Sequence, residues 1–405
     1  MKTAYIYTAG IAGAVAVSAI LAWFIFASAP KTTPVQTTAG SDLGAIDNSS
    51  IAVPESGAGN TSGTTGQVGT TVQQKIFKLS DGPVAGATFV QASRPTTTLA
   101  RFVMADNGHV FDLSIDTQGA VPKALSNTTI PGALSVQWAG GSALLQYLDG
   151  STPKTVYLNL PSANSTSTLS RLSFFPDGIV SYAIAPKNDG AAYLLRTSTG
   201  VTGYISKPDG TAGKKLFSLP LREVQLRWPA EGTLLAYSNA SAGVPGIAFA
   251  IDAKSGVVTP LVYAAGLTAT ADAAFAHVLY QTTDGIATHT FSHNVLNGSD
   301  KALSLSPLPE QCAPSANSGF MLCAASLVAK TADYLDLWHQ GASNAADSLL
   351  LYNLASGTST LLATPGGNDG GVSTDMAVVA LSPDGRYALF ISKADRSLWG
   401  VRLSQ

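Results

Sequence analysis

The sequence predicts an all-β domain that is built from one repeated unit and preceded by an apolar segment. The first observation is composition. Charged residues make up only 12% of the 405 residues and glycines number 39, which suits strands and turns better than helices. The second observation is a strand-turn-strand pattern that recurs from residue 74 onward about every 40–50 residues. The third is an uncharged stretch at the amino terminus.

The amino-terminal stretch from Thr3 to Pro30 carries no charged side chain and is long enough to cross a hydrocarbon core of ~30 Å as a helix. Lys2 precedes it, and the positive-inside rule weakly favours a cytoplasmic amino terminus. We therefore predict that residues 1–30 form an uncleaved, single-pass anchor in the cell membrane. A cleaved signal peptide is the alternative, because Ala27-Ser28-Ala29 has the form of a cleavage site; the length of the stretch and the following proline favour the anchor.

Residues 31–73 are rich in Thr, Ser and Gly and show no apolar periodicity. Such a segment cannot bury a face, so we predict a disordered linker. Everything beyond it, residues 74–405, is expected to form one folded domain outside the cytoplasm.

The folded domain contains seven copies of the hairpin, each with a strongly apolar second strand. Six copies centre on a leucine and the first is degenerate: Arg101, Leu145, Leu194, Leu235, Leu279, Leu322 and Leu389. The segments between the hairpins contain a third and a fourth strand for each blade. Seven blades need seven fourth strands, but only six are found after the hairpins. The missing one is "QQKIFKLS" at residues 73–80, which we predict pairs with the carboxy-terminal blade. Four strands per repeat and circular closure predict a seven-bladed β-propeller.

The last copy carries the most specific motif. "SPDGRYALFIS" (382–392), followed by "SLWGVRL" (397–403), resembles the WD40-like repeat of TolB-type propellers, and the other copies match it loosely. The resemblance implies a scaffold of the cell envelope that binds other molecules, and it names no partner. Asp384 precedes a glycine and is expected to be a turn residue rather than a catalytic one.

The two cysteines, Cys312 and Cys323, flank the turn of the sixth hairpin. Outside the cytoplasm, cysteines in facing strands can form a cross-strand disulfide, which we predict here. Two buried free thiols are the alternative.

A long connection separates the second and third strands of the sixth blade, and it lengthens the interval between Leu322 and Leu389. It contains Tyr334, Asp336, Trp338 and His339, and tyrosine and tryptophan are common anchors of interfaces. We predict a binding role for these four residues. The alternative is that "YLDLW" packs down as a cap with its aromatic side chains buried.

The sequence contains few residue patterns that are typical of catalytic or metal-binding sites. There is no Gly-x-Ser-x-Gly motif, and His289 and His293 are four residues apart on a predicted strand, about 13 Å, too far to share a metal ion. We predict no catalytic residues, no metal and no cofactor. A net charge of −2 without a basic cluster argues against nucleic acid as a partner.

Together these observations predict a membrane-anchored, extracytoplasmic β-propeller that acts as a non-enzymatic binding or assembly scaffold for envelope proteins or surface glycans. One alternative is an extracellular hydrolase or lyase with its site in the propeller funnel; converging acidic, histidine or arginine side chains would favour it. A second alternative is a structural subunit of a surface appendage.

Overall fold

The computed structural model of the chain describes residues 74–403, apart from 94–95, 118, 164–170, 240 and 344. The predicted anchor at 1–30 and the predicted linker at 31–73 lie outside the described residues. Within the described part, no helix is both long and apolar enough to cross a membrane.

In the described part of the chain, twenty-eight strands form seven antiparallel four-stranded sheets, which confirms the predicted seven-bladed propeller. Blades 1 to 3 contain β2 (Val84–Ser93), β3 (Thr96–Met104), β4 (Val110–Ser114), β5 (Lys123–Ser126); β6 (Ala133–Ala139), β7 (Ser142–Asp149), β8 (Thr152–Asn159), β9 (Arg171–Phe174); and β10 (Ile179–Ile184), β11 (Ala191–Arg196), β12 (Val201–Ser206), β13 (Lys214–Leu219).

Blades 4 to 7 follow the same order from the inner to the outer strand. They contain β14 (Val224–Ala230), β15 (Thr233–Ser238), β16 (Pro245–Asp252), β17 (Val258–Ala265); β18 (Thr268–Ala271), β19 (His277–Thr283), β20 (Thr288–Asn294), β21 (Asp300–Ala302); β22 (Cys312–Pro314), β23 (Phe320–Ser326), β24 (Asp347–Asn353), β25 (Ser359–Ala363); and β26 (Met376–Leu381), β27 (Tyr387–Ser392), β28 (Leu398–Arg402) with β1 (Ile76–Lys78).

The ring closes through β1, which is the outer strand of blade 7. It pairs antiparallel with β28, with Ile76 opposite Val401 and Lys78 opposite Trp399. Ile76 is fully buried in the apolar cluster between blades 6 and 7. Because β28 is covered by β1, the last hairpin has no bare edge.

Apolar side chains fill the space between neighbouring blades, because both faces of each sheet are covered by the next blade in the ring. The leucines that mark the repeat are fully buried there: Leu145, Leu194, Leu235, Leu279, Leu322 and Leu389. At the corresponding place in blade 1, Arg101 is also fully buried and forms a two-point ion pair with Asp112 (2.7 and 2.8 Å). Its Nη1 donates to the carbonyl of Gly141 in the next blade.

Alternation of strand direction gives the ring two distinct faces. The turns between first and second strands and between third and fourth strands lie on one face, called here the turn face. The loops between second and third strands and the connections between blades lie on the other, called here the insertion face. A short 3-10 helix, Pro309–Gln311, lies on the connection into blade 6, and helix α1, Tyr334–His339, lies in the long loop of blade 6.

The motif that identified the repeat forms the β26–β27 turn. Asp384 accepts hydrogen bonds from Ser382 Oγ (2.7 Å) and the Arg386 amide (3.1 Å), and Gly385 has φ 71°. Only glycine adopts that backbone angle at no steric cost. The prediction that Asp384 is a turn residue is confirmed.

Candidate functional site

A cavity with a volume of about 430 Å³ occupies the central channel of the ring. All seven blades line it, chiefly through their inner strands. The polar and aromatic lining residues are Thr88, Gln137, Trp138, Arg227, Trp228, Thr270 and Glu310. This volume falls in the range of ligand pockets, about 300–1,000 Å³.

The long loop of blade 6, with helix α1, is held by three blades on the insertion face. Asp336 accepts hydrogen bonds from Ser241 Oγ (2.7 Å) and the Ala242 amide (3.1 Å), both in the β15–β16 loop of blade 4. His339 contacts Glu310 on the connection into blade 6. Trp338 contacts blade 7. Blades 4 and 7 are nearly opposite in a ring of seven, so α1 lies across the channel opening on this face.

The long loop contacts blade 7 through a cation–π interaction between Lys393 and Trp338. Lys393 Nζ lies 3.8 Å from the centre of the Trp338 ring and donates to the Trp338 carbonyl. Trp338 Nε1 donates to Asp375 (3.3 Å), which also accepts from Ser343 Oγ. Such cation–π contacts are strongest where water is excluded.

Of the four predicted binding residues, Tyr334 is 7% exposed and therefore buried. Asp336, Trp338 and His339 remain partly accessible, and each has an intramolecular partner. The structure thus places all four on one helix across the channel. Their role in binding an outside partner stays a prediction.

Beneath α1 lies a buried polar cluster that joins blades 6 and 7. Gln311 Nε2 donates to Asp347 (2.9 Å) and Asp375 (3.0 Å), and Lys330 Nζ donates to Gln311 Oε1 (3.3 Å). Lys330 also lies 4.0 Å from the centre of the Tyr334 ring. Burial raises the pKa of Asp347 to about 6, Asp375 adds to the rise, and the Lys330 charge opposes it. This cluster anchors the base of the long loop.

Glu310 links α1 to the channel. His339 Nε2 lies 3.1 Å from Glu310 Oε2, and Thr268 Oγ1 donates to Oε1 (2.9 Å). Burial disfavours the charged carboxylate, but His339 and Arg227, together with Thr268, outweigh it and hold the pKa of Glu310 below its usual value. The hydrogen bond to Glu310 raises the pKa of His339, against an opposing effect of burial. The pair is therefore ionic over a wider pH range than free histidine would allow.

Arg227 is the cation of the channel wall. Interactions with Tyr237, and then with Glu310, raise its pKa further above an already high value, so it is always charged. Its neighbour Trp228 packs over Gly190 of blade 3, and Trp138 occupies a similar place near the end of β6. By their positions on β6 and β14, the two tryptophans lie toward the turn face and Glu310 lies toward α1.

Cys312 and Cys323 are directly opposite on β22 and β23 and form a disulfide, with Cα atoms 4.1 Å apart. The predicted disulfide is confirmed and the free-thiol alternative is wrong. Cys312 also lines the channel, next to Glu310.

His289 and His293 both lie on β20 and contact different carboxylates, Asp284 (2.9 Å) and Asp300 (2.9 Å). Among the described residues, no three His, Cys, Asp or Glu side chains are grouped so as to hold a metal ion.

Sequence reasoning missed Arg227, Glu310 and the two tryptophans. A signal was present: tryptophan stands near the end of two inner strands, in "SVQW" of β6 and "VQLRW" of β14. The repeat is defined by its buried second strands, and that pattern does not indicate which inner-strand residues face the axis.

No protein-family model matches the chain, and no curated protein is similar to it in sequence. Solved structures are similar in fold. The β-propeller domain of Cps50 (Swd1) from Myceliophteria thermophila is 14% identical, with a TM-score of 0.51, over 81% of this chain and 100% of that domain. Oligogalacturonate lyase from Vibrio parahaemolyticus is 10% identical, with a TM-score of 0.51, over 83% and 95%.

TolB from Acinetobacter baumannii is 11% identical, with a TM-score of 0.42, over 79% of this chain. The chain spans 63% of the length of that TolB. The two structures with a TM-score of 0.51 show similarity of fold alone, and the seven sheets of this chain define it as a seven-bladed β-propeller.

Proposed function

We propose that this chain is a membrane-anchored, extracytoplasmic β-propeller that acts as a non-enzymatic binding or assembly module for envelope proteins or surface glycans. One observation carries the proposal: the ring encloses a chamber of about 430 Å³ that all seven blades line, and α1 joins blades 4 and 7 on the insertion face. A chamber of this size that is lined by aromatic and polar side chains suits binding.

The first described residues enter the propeller from the turn face. β1 runs toward the insertion face and continues into β2, so residue 74 lies at the turn face. If residues 1–30 form the proposed anchor and residues 31–73 the proposed linker, the linker joins the propeller on that face.

The direct test is a crosslinking pull-down from intact cells that express the full chain. We expect a reproducible protein or glycan partner, and we expect its recovery to fall when the chain carries bulky substitutions at the turn-face mouth. No reproducible partner, together with turnover of a glycan or peptide library by the purified protein, would overturn the binding module.

A second candidate is a hydrolase or lyase with its site in the channel. Arg227 and Glu310 line the channel and His339 contacts Glu310, and acidic, histidine and arginine side chains that converge in this way favour an enzyme. His339 and Thr268 are, however, both hydrogen-bonded to Glu310, which suits a structural pair better than a free acid and base. Turnover that is lost in Glu310→Gln would favour the enzyme.

A further inference from the structure

A second cavity, of about 280 Å³, lies beside the channel on the insertion face, where blade 7 meets blade 1. It shares Ala85 and Ile391 with the channel lining. The start of β26, the end of β27 and the β27–β28 loop form one side, and the start of β2 forms the other. Trp338 of α1 completes the wall, so one of the four residues that the sequence predicts to bind lines this cavity.

The walls of this second cavity are mainly apolar. They consist of aliphatic side chains and one indole ring: Val84, Ala85, Ala377, Ile391 and Trp338. All of these except Val84 are half-buried, so part of each surface is accessible to a molecule from solvent. Covering such apolar surface is favourable, in proportion to the area that leaves water. The walls therefore suit the hydrocarbon part of a ligand.

Two cations belong to the same lining, and none of the residues described there is acidic. The side chain of Lys393 is 24% exposed and is already held by Trp338 and Ser343. Arg396 is half-buried, and its side chain makes one hydrogen bond within the described residues, from Nη2 to the Leu134 carbonyl (3.2 Å). A guanidinium carries five N–H groups, so Arg396 keeps donors for an anion that reaches this cavity.

We propose that this cavity binds a medium-chain fatty acid, with the acyl chain against the apolar walls and the carboxylate on Arg396. The forked N–H groups of arginine match the two oxygen atoms of a carboxylate, and the aliphatic walls offer a sugar ring no acceptors for its hydroxyl groups. The inference goes beyond the proposed function, because the ligand is neither a protein nor a glycan and its site is not the channel.

The test is calorimetric titration of residues 70–405, a compact unit that contains all seven sheets, and of the full chain in phosphatidylcholine nanodiscs with empty nanodiscs as the reference. The probes are hexanoate, octanoate and octanamide. Octanoate should bind about tenfold more tightly than hexanoate, because two more methylene groups are buried. It should bind several-fold more tightly than octanamide, because hydrogen bonds to a carboxylate are charge-assisted. Equal affinities in either comparison would overturn the proposal.

Arg396→Asn tests the carboxylate contact. Residue 396 has φ 58°, a left-handed angle that asparagine tolerates, so the variant should keep the loop. Affinity for octanoate should fall to that for octanamide, and affinity for octanamide should stay unchanged. Arg222→Asn is the matched control, because Arg222 is exposed, donates to one carbonyl, that of Ser198, and lies outside this cavity. An unchanged ratio of the two affinities in Arg396→Asn would overturn the proposal.

Ala377→Leu tests the place of the acyl chain, because the larger side chain occupies part of the cavity. Affinity for all three probes should fall at least about tenfold. The control is Ala394→Leu, since Ala394 is an exposed alanine of the β27–β28 loop and lies outside this lining. If Ala377→Leu fails to fold, Ala85→Leu adds the same bulk from blade 1. Unchanged octanoate binding in a folded variant of either alanine would refute the site.

Two further outcomes separate this inference from its neighbours. Binding of residues 70–405 to phosphatidylglycerol vesicles that depends on Arg396, without binding of octanoate, would replace the fatty-acid site with a membrane contact. Capture of a partner in the pull-down without binding of octanoate would refute the fatty-acid site and leave the binding module in place. Binding of octanoate without a captured partner would support the site and count against the module.

Discussion

Closure of the ring by β1 predicts a large effect from a single small change, Ile76→Ala. Ile76 is fully exposed to solvent if β1 is unpaired, and fully buried between blades 6 and 7 if it closes the ring. Truncation of a buried isoleucine to alanine removes apolar contacts and leaves a cavity, at a cost of about 2–5 kcal/mol. We expect the free energy of unfolding to fall by that amount.

The control lies two residues along the same strand. Lys78 is exposed and makes one long contact with Asp81 (4.0 Å), so Lys78→Ala should change stability by less than about 0.5 kcal/mol. Urea titration of the wild type and both variants, followed by tryptophan fluorescence, gives the three values. A loss for Ile76→Ala no larger than that for Lys78→Ala would refute the closure.

Three further predictions concern stability. Replacement of both Cys312 and Cys323 by alanine should lower the free energy of unfolding by roughly 2–3 kcal/mol, since the disulfide closes a short loop. A peptide map of the wild type that shows both cysteines unmodified before reduction would contradict the disulfide. Asp112→Ala should lower the free energy of unfolding by about 3–5 kcal/mol, because it leaves Arg101 buried and unpaired. The control is Glu223→Ala, which removes the exposed ion pair with Arg196 and should lower it by less than about 1 kcal/mol. Equal losses of stability in urea titrations would contradict the burial of Arg101. The ion pair between His339 and Glu310 should stabilise α1 at intermediate pH. The pKa of His339 is raised, so its stabilising contribution is lost as the pH rises through that pKa. The pKa of Glu310 is lowered, so its stabilising contribution is lost as the pH falls through that pKa. Hydrogen exchange of residues 334–339 at several pH values should show this, and the same profile in His339→Gln would contradict it.

Periodicity predicted the fold well, because a propeller places equivalent leucines at equivalent buried positions in every blade. Counting outer strands also predicted the closure, since the one missing strand had a single candidate before the first blade. The buried position of Arg101 follows from Asp112, which pairs with it across β3 and β4. A repeat alignment compares blades with one another and does not show such pairs within a blade.

The candidate site was harder to predict, because its residues come from different blades. Asp336 bonds to Ser241, 95 residues earlier, and no local pattern joins them. Arg227 and Trp138 face the same channel from blades 4 and 2. Two conditions bring them together. The first is closure of the ring, which the pattern of strands predicts. The second is the direction of each side chain near the turn, which the pattern of strands does not predict.

Site-specific photocrosslinking in cells tests most directly whether partners engage the turn face. A photoreactive amino acid would replace Glu231, an exposed residue of the β14–β15 turn at the channel mouth, or Ile286, which is 82% exposed on the insertion face. The account predicts a defined adduct from position 231 and none of comparable yield from position 286. Adducts from position 286 alone would contradict it.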